Sequence, residues 1–388
     1  MTSYTSVPAR FVTRPLSLYS LIRPLLFRLP AETAHHFALS SLKFALQASA
    51  VRRVVDQRYQ SSPFGNLKRF GLSFRNPVGL AAGFDKNGEA TDALCALGFG
   101  FIEVGTVTSE PQPGNPKPRN FRLPRDRALV NRLGFNNCGA KALVKNLKRH
   151  RPDCVLGINI GKSRSVPIDK AIDDYLKTFE VVYEMADYIA VNVSSPNTPQ
   201  LRELQSAAML SALLDALQDR NRELANEHSL SRAKPLLLKI APDLVDADIE
   251  SIIGVAERAS VAGIIATNTT TSRDGLQSSP ARLAAAGEGG LSGAPLRERS
   301  NHVIRAIYRL TNGAIPIVGV GGVFNAEDAW KKICAGASLI QLYTGFIYEG
   351  PGVARQINEG LRRILSNEGF VSFDEAVGCG ARIDRELL

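Results

Sequence analysis

A buried strand that ends in small polar residues is the most chemically suggestive stretch of the sequence. Residues 188–193 read YIAVNV, an apolar run rich in β-branched side chains, and residues 194–198 read SSPNT. A continuous apolar run predicts a strand that is buried on both faces. In barrels of parallel strands, the carboxyl ends of the strands carry the chemistry. An ordinary Ser-Pro-Asn turn explains the same letters, so the other strand ends must decide between the two interpretations.

Asparagine and lysine recur at the ends of the other predicted strands. Asn159, Asn192 and Asn268 close three of these strands, and Asn197 lies just beyond one of them. Three lysines occupy comparable positions, namely Lys86, Lys162 and Lys239. These ends contain no histidine and no pair of carboxylates, which argues against a metal site and against a carboxylate-dyad hydrolase. Amide and ammonium groups suit a planar ligand with amide-like edges and a negative charge.

Glycine-rich turns follow the last two predicted strands. Gly321 and Gly322 follow the seventh strand, and Thr344 and Gly345 follow the eighth. Glycine allows backbone N–H groups to approach a phosphate closely, and barrels commonly bind phosphate in these two loops. The sequence therefore predicts a phosphate-bearing ligand on this side of the rim.

Ser195 is the most central candidate for a proton acceptor. A serine hydroxyl is a weak base unless it is desolvated and connected to a relay. No histidine lies near it in sequence, which disfavours nucleophilic hydrolysis and favours slow proton abstraction from a substrate whose electrons go to a cofactor. A Schiff-base aldolase that uses Lys239, with the same glycine loops binding a sugar phosphate, is the alternative among enzymes.

Eight strand candidates alternate with helical stretches and position these residues. The strands are predicted at 78–82, 101–106, 155–160, 188–193, 235–240, 263–267, 316–320 and 338–343. The helices are predicted at 90–97, 140–150, 169–185, 206–227, 246–259, 296–310 and 326–335. This number of units is typical of an α/β protein with a (β/α)₈ TIM barrel. A doubly wound open sheet is the alternative, but its Gly-x-Gly-x-x-Gly turn is absent after the first strand.

The N-terminal segment has helical periodicity and carries most of the net charge. Residues 17–29 and 31–55 each predict an amphipathic helix, the first interrupted by Pro24, and together they predict a small helical hairpin. The chain has a net charge of +10, and residues 1–75 hold eleven basic and two acidic residues, or 11 − 2 = +9. A basic, apolar segment favours an anionic membrane surface, and the nearly neutral remainder argues against nucleic acid.

Other features of composition set further limits. Ser-Ser-Pro at 61–63 predicts a boundary between an N-terminal helical segment, 1–62, and a barrel domain, 63–388. No run reaches the ~20 uncharged apolar residues that a membrane span requires. The five cysteines include no Cys-x-x-Cys pair, which argues against a disulfide framework or a zinc site. A solvated basic tail, or a non-enzymatic module that binds membranes or nucleic acid, remains an alternative interpretation of the N-terminal charge.

Four motifs resemble the signatures of the dihydroorotate dehydrogenases. They are NVSSPNT at 192–198, NRLGFN at 131–136, GNPKPR at 114–119 and IVGVGGV at 317–323. Serine at 195, where soluble class 1 members have cysteine, and the helical N-terminal segment resemble class 2, the membrane-associated, quinone-dependent enzymes. The resemblance covers roughly residues 19–365. It implies FMN as cofactor, oxidation of (S)-dihydroorotate to orotate in pyrimidine biosynthesis, and reoxidation of the flavin by a quinone.

The resemblance also implies roles for individual residues. Ser195 would take the proton from C5 while hydride passes from C6 to flavin N5, and Thr198 and Phe135 would line a water relay. The residues implied for orotate are Lys86, Asn131, Arg132, Leu133, Gly134, Phe135, Asn192, Asn197, Asn268 and Thr269. Those implied for FMN are Ala82, Gly83, Phe84, Asp85, Lys86, Thr106, Asn159, Asn192, Lys239, Thr267, Gly293, Gly322, Tyr343 and Thr344. Those implied for the quinone are His35, Phe84, Arg122 and Tyr343, and no metal is implied.

The resemblance finally implies a location in the cell. No single-pass anchor precedes the predicted helical hairpin, in contrast to eukaryotic members of class 2. The expected location is therefore peripheral, on the cytoplasmic face of a bacterial cell membrane, with the mitochondrial inner membrane as the alternative. The first ~18 residues and the tail after about residue 367 lie outside the resemblance and have no assigned role.

Overall fold

Eight parallel strands close a barrel, and each lies where the sequence predicts it. The computed structural model describes residues 18–383, so the first 17 residues, which the sequence left without a role, lie outside the described part. The strands are Val78–Leu80, Phe101–Val107, Val155–Ile160, Tyr188–Asn192, Leu236–Ile240, Gly263–Ala266, Ile317–Val320 and Ala337–Leu342. Each pairs with the next along the chain, and the eighth pairs with the first. The (β/α)₈ barrel is therefore confirmed.

Helices cover the outside of the barrel. They are Thr91–Cys95, Ala140–Leu147, Ala171–Val182, Ala207–Glu227, Asp246–Arg258, Arg297–Leu310, Ala326–Ala335 and Val353–Asn367. Their buried residues recur at helical spacing, as at Leu210, Leu213, Leu214 and Leu217 of the longest helix. Because this layer shields the outer face, the strands are apolar on both faces, and all their ladder bonds lie in a dry interior.

A small hairpin covers the amino-terminal end of the barrel. Its strands, Leu67–Arg69 and Leu72–Phe74, pair antiparallel. Phe74 packs edge-on against Phe101 at the start of the second barrel strand, with ring centroids 5.4 Å apart. The barrel is thus closed below, and its open end is the rim at which the strands finish.

A three-stranded antiparallel sheet stands beside that rim, and the sequence pattern did not predict it. Its strands are Asn120–Leu123, Ala128–Asn131 and Gly290–Gly293. Leu123, Val130 and Leu291 form a separate small core within it. The sheet brings two segments that are distant in sequence to one side of the barrel mouth.

The N-terminal helices are present, and the structure divides the second of them. The helices are Leu18–Leu26, Ala31–Ala45 and Ser49–Tyr59, and Pro24 lies inside the first. The break at 46–48 follows from a contact that periodicity does not reveal, because Arg52 binds the carbonyl of Leu46 and the carboxylate of Asp92 on the barrel. Among the described helices, none combines the length and the apolar character needed to cross a bilayer.

Candidate active site

A cavity with about 950 Å³ of empty space lies at the carboxyl ends of the strands. It brings together most of the residues predicted for a substrate and for a cofactor. These are Ala82, Gly83, Lys86, Thr106, Asn131, Leu133, Gly134, Phe135, Asn192, Ser195, Asn197, Lys239, Thr267, Asn268, Thr269, Gly293, Gly322, Tyr343 and Thr344. Polar residues from all around the barrel therefore face one space, which we call the rim cavity.

Amide side chains at the rim hold one another in place. The Asn192 amide donates to the Thr106 hydroxyl at 2.9 Å, and the Asn268 amide donates to the Ser194 hydroxyl at 3.0 Å. The Asn197 amide donates to the backbone carbonyl of Asn131 at 3.1 Å. Because each amide is fixed by such a bond, its remaining donor or acceptor is oriented before any ligand arrives.

Ser195 lies in the middle of the rim cavity and is almost fully buried. Its Oγ accepts a hydrogen bond of 3.3 Å from the backbone N–H of Asn197. Thr198, three residues further along the chain, is also buried. Its Oγ1 has no hydrogen-bond partner within residues 18–383. Buried hydroxyl groups are normally paired, so the position of Thr198 suits an ordered water.

Phe135 borders the same cavity in a left-handed conformation, with φ of 53°. This conformation directs its carbonyl to the side chains of Gln112 at 3.0 Å and Asn137 at 2.7 Å. The predicted base Ser195 and the predicted relay residue Phe135 both line the cavity, while the other predicted relay residue, Thr198, lies outside its lining.

Two glycine segments form the opposite side of the rim cavity. Gly321 and Gly322 have φ of 121° and 72°, and Gly293 has φ of 104°, all in the region that favours glycine. A Cβ added at Gly293 would lie 2.8 Å from the Cα of Ala128, so a side chain there would press on the neighbouring strand. These glycines line the cavity without a side chain in the way, which suits backbone N–H groups to binding a phosphate.

A buried ion pair forms the floor of the rim cavity. Lys239 Nζ lies 3.6 Å from Glu103 Oε1, and Glu103 has no exposed side-chain surface. The same carboxylate accepts hydrogen bonds from Asn159 at 2.9 Å, Tyr188 at 3.0 Å and Gln341 at 2.8 Å. Glu103 was missed by sequence reasoning, because it lies in the middle of an apolar strand rather than at its end.

Two unpartnered buried atoms point to a ligand in this cavity. Thr267 Oγ1 and Gln341 Oε1 are buried without a hydrogen-bond partner in the described part of the chain, and both residues line the cavity. Together with Lys239 and the glycine backbone that lines the cavity, they provide donors and acceptors for a large polar group. A flavin with a phosphate tail fits this set of residues.

Lys86 lies between the rim cavity and a smaller neighbouring space. Burial, with a contribution from the Arg119 cation, lowers the pKa of Lys86 to about 7. Its ammonium group donates to Asn136 Oδ1. An anionic ligand would favour the charged form of this lysine, which makes Lys86 suited to bind a carboxylate.

Besides Thr198, and Phe84 which lines the second cavity described below, three residues predicted for the substrate or the cofactor lie outside the rim cavity. Arg132 donates to the carbonyls of Ala286 and Glu288, and it lies over the ring of Phe121. Asp85 accepts from the backbone N–H groups of Glu89 at 2.9 Å and Ala90 at 2.8 Å, and burial raises its pKa to about 6. Asn159 is wholly buried below the cavity, where its Oδ1 accepts from Thr106 at 2.5 Å. The structure thus gives all three contacts within the protein.

A second cavity, with about 960 Å³ of empty space, opens between the N-terminal helices and the barrel. All four residues predicted for a quinone line it, namely His35, Phe84, Arg122 and Tyr343. His35 packs edge-on against Phe84 with centroids 4.8 Å apart, and burial lowers the pKa of His35 to about 4. Its lining is mostly apolar and aromatic, so we call it the apolar cavity.

Tyr343 separates the rim cavity from the apolar cavity, since it lines both. Burial raises the pKa of its phenol to about 12, so the side chain is neutral at physiological pH. A Cβ added at Gly83 would lie 3.3 Å from the Tyr343 ring, so glycine there allows the loop after the first strand to pass close to the tyrosine.

A chain of hydrogen bonds also connects the N-terminal helices to the rim. Glu32 of helix Ala31–Ala45 pairs with Arg119 at 2.7 Å. Arg119 donates to the carbonyl of Asn115 at 2.9 Å, and the Asn115 amide donates to the carbonyls of Arg132 at 2.9 Å and Asn197 at 3.5 Å. The helices are therefore tied to the loop that borders the rim cavity.

Residues 18–383 contain no group of three or more histidine, cysteine, aspartate or glutamate side chains that could hold a metal ion. The chemistry of the rim cavity rests instead on amides, hydroxyls, lysines and glycine backbone. An eight-stranded barrel with such a rim defines the class of (β/α)₈-barrel enzymes that bind ligands at the carboxyl ends of their strands.

The chain belongs to the dihydroorotate dehydrogenase family, whose model matches residues 66–365. It is 50% identical over 364 residues to "Dihydroorotate dehydrogenase (quinone)" of Roseiflexus sp., covering 93% of this chain and 98% of that one. It is 51% identical over 364 residues to the protein of the same name from Gloeobacter violaceus, covering 94% and 99%. The family is flavin-dependent.

A solved relative supports the same assignment. The crystal structure of DHODH from Eimeria tenella in complex with ferulenol has a TM-score of 0.76 and 38% identity to this chain. The match covers 86% of this chain and 94% of that one. Because both the sequence and the fold match over most of their lengths, the resemblance drawn from the four motifs is confirmed at the level of the family.

Proposed function

We propose that this chain oxidises (S)-dihydroorotate to orotate in pyrimidine biosynthesis and passes the electrons through FMN to a quinone. The observation that carries the proposal is the pair of cavities on either side of Tyr343. The rim cavity offers amides, a lysine and a glycine loop, whereas the apolar cavity offers aromatic and aliphatic groups. A polar anionic reductant and an apolar oxidant therefore each have a suitable site, and Tyr343, which lines both cavities, lies between them.

FMN is the flavin that the rim residues suit best. The phosphate would bind the backbone of Gly293, Gly321 and Gly322, which line the cavity, and Lys239 would face the polar part of the ring system. Thr267 Oγ1 and Gln341 Oε1 supply buried polar atoms that lack partners in the described residues. When bound, the flavin would accept a hydride from the substrate and release electrons to the second substrate.

Recognition of dihydroorotate would fall to the amide groups and to Lys86. The carboxylate of the substrate would pair with the Lys86 ammonium group. Asn131, Asn197 and Asn268 would bind the ring amides, since their side chains already donate hydrogen bonds to the protein, in the case of Asn131 to the carbonyl of Gly290. Such fixed donors reduce the entropy lost on binding.

Ser195 would remove the proton from the substrate. Its hydroxyl lies in a nearly buried setting, where an oxygen base is poorly solvated and therefore stronger than in water. Thr198, with its unpartnered Oγ1, and Phe135 would border the water that carries the proton away. The chain thus supplies the base and its relay, while the flavin supplies the redox chemistry.

The quinone would enter the apolar cavity from a membrane surface. Leu18, Leu21, Phe37 and Phe44 on the first two helices are 73%, 63%, 60% and 81% exposed. Exposed apolar side chains on one segment indicate a contact with membrane or protein, and the positive charge of the N-terminal fifth favours anionic lipid. We place the protein peripherally on such a surface, with the cytoplasmic face of a bacterial cell membrane as the expected side and the mitochondrial inner membrane as the alternative. Nucleic acid is not an expected partner.

The same features support the proposed division at 62–63. The helical segment, 1–62, would provide membrane contact and quinone access, and residues 63–388 would form the flavin-binding barrel. Helix Ser49–Tyr59 ends shortly before this boundary.

The decisive experiment is spectroscopic. The purified full-length protein should show flavin absorbance, bleach anaerobically on addition of dihydroorotate, and recover its colour when a long-chain quinone is added. A colourless protein would refute the proposal and would revive the aldolase alternative. That alternative is already weakened by the salt bridge of Lys239 to Glu103, because a Schiff base forms from a free amine.

A further inference from the structure

A fully buried lysine lies behind the rim cavity, and neither the substrate nor the quinone accounts for it. Lys332 is on helix Ala326–Ala335 and has no exposed surface. Its methylene stem packs on the seventh barrel strand, where a Cβ added at Gly319 would lie 3.3 Å from Lys332 Cδ. Within residues 18–383, no carboxylate forms a salt bridge with its ammonium group. A buried lysine without a counter-charge is costly, so its retention calls for an explanation.

The Lys332 ammonium group acts on the backbone through a neighbouring serine. Its Nζ donates to Ser300 Oγ at 2.9 Å and to Asn301 Oδ1 at 3.0 Å. Ser300 Oγ in turn donates to the carbonyl of Val320 at 2.5 Å. The same carbonyl accepts from the backbone N–H of Thr267 at 3.0 Å. Lys332 therefore fixes the point at which the ends of the sixth and seventh strands meet.

The glycine loop follows immediately after this point. Gly321 and Gly322 succeed Val320, and a Cβ added at Gly321 would lie 3.1 Å from the Cβ of Ser300. The carbonyl of Gly322 accepts from Arg297 Nε at 2.8 Å, and Arg297 pairs with Asp328 at 2.9 Å. Residues of helices Arg297–Leu310 and Ala326–Ala335 thus fix the loop, and Lys332 is the fully buried cation among them.

We propose that Lys332 is a positioning residue for the phosphate of the flavin: through Ser300 it holds the Gly321–Gly322 loop in the shape that binds phosphate, and its positive charge favours the bound dianion. The proposal rests on the proposed function, because it needs a phosphorylated flavin on that loop. Lys332 does not touch the reacting atoms, and its role is limited to affinity for the phosphate group.

The charges around Lys332 predict how this support depends on pH. Burial and, to a smaller extent, the Arg297 cation lower the pKa of Lys332 to about 7, against the opposing effects of Asp328 and Glu298. A phosphate dianion on the loop favours the charged amine, so binding and protonation reinforce each other. The phosphate itself is doubly ionised above pH ~6. Between pH 7 and 9 the affinity for FMN should therefore fall as Lys332 loses its proton.

The test compares FMN with riboflavin, which has the same ring system and no phosphate. Dissociation constants of both are measured by equilibrium dialysis on the full-length wild type and on Lys332→Met, Lys332→Arg and Lys331→Met. Lys331 is the exposed neighbour on the same helix and serves as the matched control. Lys332→Met should weaken FMN binding about tenfold, the effect of one pKa unit, and leave riboflavin binding unchanged. Lys332→Arg should recover part of the loss, and Lys331→Met should bind FMN like the wild type.

Two results would overturn the proposal while the proposed function stands. One is wild-type affinity for FMN in Lys332→Met. The other is an equal loss of FMN and riboflavin, which would indicate a general structural role. A wild type that binds no FMN at all would instead refute the proposed function, and the inference with it.

A second measurement needs no variant and covers the case in which Lys332→Met does not fold. The wild-type dissociation constant of FMN is followed from pH 7 to pH 9, with riboflavin in parallel. A ratio of FMN to riboflavin affinity that falls across this range supports the role of Lys332. A constant ratio would contradict it.

Discussion

Lys239 and Glu103 form a buried pair, 3.6 Å apart, at the floor of the rim cavity. The two partners are not equivalent, because Glu103 also accepts hydrogen bonds from Asn159, Tyr188 and Gln341. Lys239 depends on Glu103 for its counter-charge, whereas Glu103 keeps three donors if the lysine is lost. The pair therefore joins the ligand cavity to the centre of the barrel.

This asymmetry predicts unequal effects on stability. Glu103→Leu should lower the free energy of unfolding by about 3–5 kcal/mol, because it leaves a buried cation and several buried donors without a partner. Lys239→Met should cost less. Urea unfolding monitored by circular dichroism measures both, with Glu103→Gln as the control that keeps an acceptor. Equal losses for the two variants would show that the three neutral donors do not stabilise the carboxylate.

Ser195→Ala should separate flavin binding from substrate oxidation. The variant should retain its flavin, since within residues 18–383 the Ser195 side chain has one hydrogen bond, a weak one of 3.3 Å from the backbone N–H of Asn197. Reduction of the flavin by dihydroorotate should slow by roughly 10²–10⁴-fold, the usual contribution of a general base. Anaerobic stopped-flow absorbance measures the rate, and chemical reduction by dithionite serves as the control. An unchanged rate would remove Ser195 from the role of base.

The pKa of Lys86, about 7, predicts a pH dependence of orotate binding. Orotate should bind more tightly to the protonated form of Lys86, because its carboxylate pairs with the ammonium group and raises the pKa of the lysine. Affinity should be highest below pH 7 and should fall above it, by at most about tenfold per pH unit. Calorimetric titration of orotate between pH 6 and 9 measures this. Lys86→Met should bind orotate weakly at every pH, and Lys141→Met, at an exposed helix position, should behave as the wild type.

Filling the apolar cavity should block one half of the reaction. Ala34 lines this cavity, and Thr33, next to it on the same helix, is exposed and lies outside the lining. Ala34→Trp should slow reoxidation of the reduced flavin by a long-chain quinone at least about tenfold, because a side chain of this size fills space that the quinone needs. Reduction by dihydroorotate should be unaffected. Thr33→Trp is the matched control, and equal quinone kinetics in the two variants would argue against the apolar cavity as the quinone site.

The apolar runs predicted the barrel strands correctly, because a strand that is buried on both faces must be apolar at nearly every position. Few other short elements produce such a continuous apolar run. The order of the strand ends then placed Asn192 and Ser195 at the rim, together with Lys239. The three-stranded sheet was not predicted, because its strands are only four residues long and are joined by contacts across 159 positions in sequence. Short strands carry too few residues for a period to be read.

The direction in which a side chain points was the second feature that the sequence did not predict. Arg132 belongs to a motif of which Asn131 and residues 133–135 line the rim cavity, but its guanidinium group turns to the carbonyls of Ala286 and Glu288. Glu103 shows the opposite case, since an acid within an apolar strand gives no local sign of the four partners it meets. Both depend on residues brought together by the closed barrel, which no local spacing reveals.

The link between Glu32 and Arg119 has a consequence for how this protein can evolve. Arg119 is only 6% exposed, and without Glu32 its guanidinium group would face the carbonyls of Pro113 and Asn115 with no negative charge opposite it. Loss of the N-terminal helices would therefore leave a buried arginine without its counter-charge. A chain that lost these helices would need a compensating change at residue 119, so the sequence of the loop beside the rim cavity is coupled to the presence of helix Ala31–Ala45.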